Sequence, residues 1–317
     1  MYYNLNGIPS EEPRDNEYWI TYFHDRFIMK ENDLSYELEN SLLRLYGVLQ
    51  TKLFGSPQKY FKKMYTLEPW IPYAGIDAEL KISKNDFEKL LKVSNSKETQ
   101  KMLYYYDCVN LIGSLQNLVQ ESRYLFCDFY KTLNSNSFMI QPLPFEPSML
   151  MFASGLLVID LFSKINHLFI TLSSQLDFVT KLLFELKFIH TEFEDYPKLK
   201  SKGLLYGDFR KLGFTLTKNT LFEKVECINL ILNIRNEIIH NSSFENIPKV
   251  YQVFEDNIMK EKFVLIPDHN NGNFETYKNR NRFFDNDVKL NEVLPNIFTD
   301  FQKRLLNTIQ LLENDTL

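Results

Sequence analysis

The chain has 317 residues, 44% hydrophobic and 24% charged, enough to bury a large core in two domains or one enlarged one. A formal net charge of -5 argues against a protein coated in nucleic acid or attached to an anionic membrane, although a local basic patch can sit on an acidic body. Three scattered cysteines (Cys108, Cys127, Cys227) give neither a disulfide framework nor zinc-ligand spacing, and no metal or cofactor is expected.

No basic start leads into an apolar stretch and a small-residue cleavage site, so no secretory signal is expected. The most apolar window, Met149 to Ile159, gives way to Asp160, Lys164, Asn166 and His167 and is too short to cross a bilayer. A soluble, cytoplasmic protein with no membrane partner is the expectation. Alanine is scarce while Asn, Lys, Ile, Phe and Tyr are plentiful, which is the usage of an AT-rich genome. Most of the 27 Phe and 18 Tyr are therefore assigned to the core rather than to base stacking.

Helical periodicity dominates the chain. Glu17 to Met29 is aromatic and reads as a short helix. Leu38, Leu42, Leu45, Leu49 and Leu53 recur at steps of three and four, predicting an amphipathic helix over Asp33 to Leu53. Pro69 and Pro72 interrupt the pattern. Asp86 to Lys92 predicts a short helix capped by Asn85 or Ser83, and Ser96 to Leu133 a long one. Pro142, Pro144 and Pro147 then mark a domain boundary between Asn134 and Pro147. It separates an N-terminal helical region, 1–140, from a C-terminal bundle, 148–317.

The second half opens with a stripe formed by Leu157, Leu161, Ile165, Leu168, Leu172, Leu176, Val179 and Leu183, predicting a helix from Ser148 to His190. Glu192 to Gly213 is a polar connection carrying Lys198, Lys200, Lys202, Arg210 and Lys211. A helix over Thr220 to Asn241 comes next. Tyr251 to Phe254 and Lys262 to Ile266 have strand-like content, with turn chemistry after Pro267, predicting a small β-hairpin insertion. The last helix, Leu290 to Leu312, buries Leu294, Ile297, Phe301, Leu305, Ile309 and Leu312. The fold class expected is all-α.

The chemistry concentrates in Arg235-Asn236-Glu237-Ile238-Ile239-His240. Leu221, Val225, Ile228, Leu232 and Ile239 form an apolar stripe in which Arg235 takes a register position, and a guanidinium there is costly unless paired or facing a wet cleft. A polar row runs alongside through Glu226, Asn229, Asn233, Asn236 and His240. At 100° per residue, Arg235, Asn236 and His240 span about 140° of the helix, a gap that a long Arg side chain can close. Such a trio suits RNA cleavage. The 2′-hydroxyl is an internal nucleophile, so the reaction needs a proton carrier and a cation over the phosphate but no metal. Histidine titrates near neutrality, and the planar guanidinium grips two phosphate oxygens. Asn236 could orient the imidazole or bind the phosphate.

Arg, a polar residue (commonly Asn), and then His late in a helix of a helical bundle resembles the HEPN superfamily, whose R-x4-6-H element marks RNA-cleaving members, many of them toxins or antiviral abortive-infection effectors. The family's Arg falls on Arg235, its polar second position on Asn236 and its His on His240, and the small polar pair Asn241-Ser242 is similar to the residues after the His there. The resemblance covers about Ser148 to Leu317. It implies a four- or five-helix bundle that forms a homodimer with a composite cleft, an RNA substrate, and an antitoxin or another regulatory partner.

Other readings of the same residues remain open. Arg235 can be a snorkelling surface arginine and His240 a helix-end residue favoured by the macrodipole, which leaves a helical scaffold or a catalytically silent binding module. Lys198, Lys200, Lys202, Arg210 and Lys211 form either an RNA-facing patch or a solvated connection, and Lys278, Arg280 and Arg282 read as solvated. Asp160 is a potential partner for Arg235, with Glu237 and Asn241 as further supporting residues. His167, His24 and His190 read as satisfied core or interface histidines and His269 as solvated. No P-loop, dinucleotide, α/β-hydrolase or zincin signature occurs.

Overall fold

The computed structural model describes residues 34–138, 148–213, 218–256 and 258–314, together with the strand backbones among the first 33 residues. Most of the expected Asn134 to Pro147 boundary, and His24, lie outside the described residues. The protein is mainly helical with small antiparallel sheets.

The first elements correct the helix expected over Glu17 to Met29. Strands β1 (Tyr2–Asn4), β2 (Pro9–Ser10), β3 (Trp19–Phe23) and β4 (Arg26–Met29) form an antiparallel sheet in the order β2-β1-β3-β4. Ile20 opposes Met29 and Phe23 opposes Arg26. Trp-Ile-Thr-Tyr-Phe is a β-branched and aromatic run that fits a pleated surface better than a helix.

Helices α1 (Asp33–Phe54), α2 (Pro57–Met64), α3 (Lys84–Val93) and α4 (Lys97–Ser135) come next in the chain. Leu38, Leu42, Leu45, Leu49 and Leu53 are all buried, as their spacing predicts. Ser83, rather than Asn85, caps α3 by accepting the Asp86 N–H at 3.1 Å. Beyond them lie β5 (Ser148–Ala153) and α5 (Leu156–Lys187), then two short 3-10 turns, Lys200–Gly203 and Tyr206–Leu212. The chain closes with α6 (Glu226–Asn241), β6 (Val250–Glu255), β7 (Ile258–Phe263), the ladder of β8 (His269–Asn270) with β9 (Asn273–Phe274), and α7 (Leu290–Glu313).

Two boundaries differ from expectation. Ser148 to Ala153 is not the start of the long helix but an edge strand paired antiparallel to β6, from Ser148 opposite Glu255 to Ala153 opposite Val250. Gly155, at φ +132°, makes the break that a non-glycine residue would resist. Likewise α6 begins at Glu226, not at Thr220. The residues before it form turns in which the Phe222 N–H donates to Thr220 Oγ1 at 3.2 Å.

The chain divides into two compact units that do not follow chain order: 1–36, 118–175 and 218–305 in the first, and 37–117, 176–217 and 306–317 in the second. The first unit holds α6, the β5-β6-β7 sheet and the β8–β9 hairpin. Its core includes Phe126 stacked on Phe298 with ring centroids 4.5 Å apart, and Phe162 on Phe244 at 5.4 Å. The second unit buries the leucine stripe of α1 and the Glu185 carboxylate, which accepts from Tyr104 Oη at 2.7 Å and the Ser201 N–H at 2.9 Å. Among the described residues, α5 alone is long and apolar enough to cross a bilayer by length and composition, and half of its most apolar window is buried inside the protein. Its leucines from Leu161 onward serve as core, whereas Leu157, the first of the expected stripe, is exposed.

Candidate functional site

Helix α6 carries the hexapeptide, and its buried face is not the one the apolar stripe predicts. Cys227, Ile228, Leu230, Ile231 and Ile234 are buried, whereas Ile239 is 51% exposed. The buried face is thus turned by roughly one residue step, about 100°, from the expected stripe. Arg235 sits at its margin, and Asn236 and His240 point to solvent.

The β8–β9 hairpin packs on the polar row. Asn229 Nδ2 donates to the Asn271 carbonyl at 3.1 Å, and Asn233 Nδ2 to the Gly272 carbonyl at 2.8 Å. His269 Nδ1 lies 3.4 Å from Glu226 Oε1. The imidazole is largely buried, with 14% of its side chain exposed, so His269 is not the solvated histidine expected of a turn. Of the row, Glu226 at its start and Asn236 and His240 at its end remain exposed to water.

Within the hexapeptide, Arg235 Nη1 donates to Asn236 Oδ1 at 3.1 Å. Arg235 forms no ion pair and His240 no side-chain hydrogen bond among the described residues. Glu237 behaves differently. It accepts from Asn281 Nδ2 at 2.6 Å, Asn241 Nδ2 at 3.0 Å and Arg282 Nη2 at 3.2 Å. Arg282 also donates to the carbonyls of Ser243 at 2.8 Å and Phe244 at 3.2 Å. It therefore places a cation at the negative end of α6 just past Ser242, which ends the helix in the left-handed region at φ +67°. Arg282 is not a solvated member of a charge run but the anchor of the motif. No local signal in the sequence separates it from Lys278 or Arg280.

Asp160 does not pair with Arg235; it accepts from Lys164 Nζ at 2.5 Å, one helical turn away. His167 is half-exposed beside Glu121, at 3.2 Å, rather than in the core. Lys198, Lys200, Lys202, Arg210 and Lys211 lie in the second unit and are exposed. Lys211 meets Asp208 at 2.7 Å and holds that carboxyl below its usual range.

A cleft of about 480 Å³ opens at the other end of α6, lined by Glu226, Cys227, His269, Asn286, Asn296 and Asp300 among apolar side chains. Cys227 donates to the Ile297 carbonyl at 3.3 Å, and burial pushes its thiol up to about 12, so it is no nucleophile at neutral pH. Among the described residues no group of three or more His, Cys, Asp or Glu side chains is arranged to hold a metal ion. No family model, curated protein or solved structure matches the chain.

Proposed function

We propose that the protein is a metal-independent endoribonuclease of the HEPN type, acting through Arg235, Asn236 and His240. The observation that carries this reading is the sorting of charge within one helical turn. Glu237, the only acid of the hexapeptide, is drawn into its pair with Arg282, while the Arg235 guanidinium has no carboxylate partner among the described residues and His240 stands in solvent. A carboxylate beside the guanidinium would repel a phosphate. Turned away, it leaves Arg235 most of its five N–H donors for phosphate oxygens.

In this reaction an imidazole takes the 2′-hydroxyl proton, the 2′-oxygen bonds to phosphorus, and the bond from phosphorus to the 5′-oxygen breaks. An imidazolium protonates the leaving 5′-oxygen, giving a 2′,3′-cyclic phosphate and a 5′-hydroxyl. Arg235 neutralises the charge that grows on the phosphate, and Asn236, hydrogen-bonded to it, fixes its direction. By the same family likeness the protein is a defence effector or regulated toxin in the cytoplasm, restrained by an antitoxin or similar partner. Lys198, Lys200, Lys202 and Arg210, exposed and without an ion pair among the described residues, are available to neutralise an RNA backbone.

Cleavage of single-stranded RNA by purified variants tests the proposal. His240→Ala and Arg235→Ala should each remove roughly two orders of magnitude of activity. Asn236→Ala should be milder, and all three should melt as the wild type does. Wild-type cleavage by either of the first two variants removes the motif from the mechanism. A second reading, a binding module without catalysis, draws on the fact that Arg235, Asn236 and His240 do not line the 480 Å³ cleft. It predicts RNA retention lost in Arg235→Ala with no cleavage at any protein concentration.

A further inference from the structure

The second unit contains a cleft of about 740 Å³ whose walls are aromatic and whose only charges are negative. Three elements build it. Tyr60 comes from α2 and Tyr106 from α4, with their hydroxyls 3.4 Å apart. The third wall is the segment 68–77, between α2 and α3. Pro69 and Pro72 stiffen it, and it is folded into successive turns by the Ile71 N–H on the Glu68 carbonyl at 3.1 Å and the Asp77 N–H on the Tyr73 carbonyl at 3.0 Å. Those turns bring Glu68, Tyr73 and Asp77 to the cleft. Tyr65 and Tyr73 are 82% and 53% exposed, so ring surface is open to a ligand. Burial, with the neighbouring Tyr60, Tyr105 and Tyr73 phenols, keeps the Tyr106 hydroxyl protonated far above neutrality.

Neither Glu68 nor Asp77 forms an ion pair among the described residues, and no lysine or arginine lines the cleft. Asp77 spends one oxygen on the Glu79 N–H at 2.9 Å. An aromatic ring presents a negative face to a cation, and two unneutralised carboxylates add to the same potential. An anion meets repulsion from both, and a neutral solute gains only apolar contact. The space is also larger than a bare ammonium fills and falls within the size range of small-molecule sites, about 300–1,000 Å³. We propose that this cleft is a binding site for an organic cation, a substituted ammonium or a guanidinium carried on an apolar body, held between the tyrosine faces with its charge toward Glu68 and Asp77. The site is independent of the RNA-cleavage reading, since it shares no residue with it.

Titration calorimetry of the full chain with benzyltrimethylammonium tests this, with benzyl alcohol as the neutral and benzenesulfonate as the anionic control. The cation should bind at least about tenfold more tightly than the alcohol, and the sulfonate most weakly. The Glu68→Gln/Asp77→Asn double variant should weaken the cation about tenfold and leave the alcohol unchanged. Tyr73→Ala should weaken it comparably, while Tyr73→Phe, which keeps the ring face, should not. All the substituted positions are at or near the surface, and wild-type melting of each variant confirms the fold. Equal affinity for cation and alcohol, undiminished cation binding by the double variant, or no cation binding at concentrations on the order of 10 mM would each overturn the proposal.

Discussion

Glu237 and His240 stand three residues apart on one helix in opposite surroundings. The Glu237 side chain is 13% exposed and the Arg282 side chain 20%, and three donors converge on that carboxylate. Glu237→Ala leaves a half-buried guanidinium without its counter-charge and two amides without their acceptor. It should cost about 2 kcal/mol, less than a fully buried pair because water still reaches both groups. His240→Ala should change stability by less than about 0.5 kcal/mol. Urea denaturation separates the two, and a Glu237→Ala protein as stable as wild type would mean that the hexapeptide is not anchored this way. A second titration effect belongs to Asp107 in the second unit. Burial raises its carboxyl above the usual range, although Tyr196 Oη donates to it at 2.5 Å and pulls the other way. With the folded value above the unfolded one, its stabilisation is complete below the ordinary carboxylate range, about pH 4, and is lost as pH rises through the raised value. Asp107→Asn should flatten that fall in stability above about pH 4; an unchanged slope would show that burial does not raise the carboxyl. The reactive-looking trio was legible because its spacing is local. The residue that holds the trio was not, because Arg282 lies 45 positions from Glu237 and nothing nearby marks it.

The hairpin of β8 and β9 decides which part of α6 reaches solvent, and Gly272 decides whether the hairpin can dock. It has φ +77°, and a Cβ there would stand 2.3 Å from the Glu226 carbonyl oxygen and 2.6 Å from the Leu230 nitrogen. Those contacts are to backbone, which cannot swing aside. Gly272→Ala should therefore cost about 2 kcal/mol or more and speed hydrogen exchange in the first turns of α6, where Asn229 and Asn233 hold the loop. Unchanged exchange would show that the hairpin is not what covers the row. The same docking explains why the polar row of the helix could be found from the sequence while its covering could not. Asn229 and Asn233 look like a solvent row until a loop with backbone carbonyls is laid over them. The long helices were legible for the opposite reason, since the leucine stripe of α1 and the α5 stripe from Leu161 to Leu183 mark their buried sides. Ser148 to Ala153 and Trp19 to Phe23 were misread because short apolar or aromatic runs carry no period that separates strand from helix. Their pairing partners, β6 and β4, settle the matter.

A single chain offers one Arg235 and one His240, on a helix face that lines neither cleft. Cleavage by 2′-hydroxyl attack uses a base and then an acid on opposite sides of the phosphate, and one exposed imidazole is poorly placed to be both. An isologous two-fold contact doubles both residues in a shared site and supplies the walls that a lone helix end lacks. The first unit also leaves Leu150, Phe152 and Leu156 at 62%, 59% and 85% exposure, along an uncharged sheet edge and the helix after it, a surface that self-association would cover. Light scattering at micromolar concentration should accordingly give twice the 37.7 kDa chain mass. Activity per chain should fall on dilution as the dimer dissociates, and persist in EDTA. The sharpest form of the test mixes wild-type chains with an excess of His240→Ala chains. A mixed dimer then holds a single imidazole, too few to serve as both base and acid. Activity per wild-type chain should fall as the His240→Ala fraction rises. A monomer with full activity, or activity per wild-type chain that the added variant leaves unchanged, would confine the chemistry to one chain and exclude the composite site.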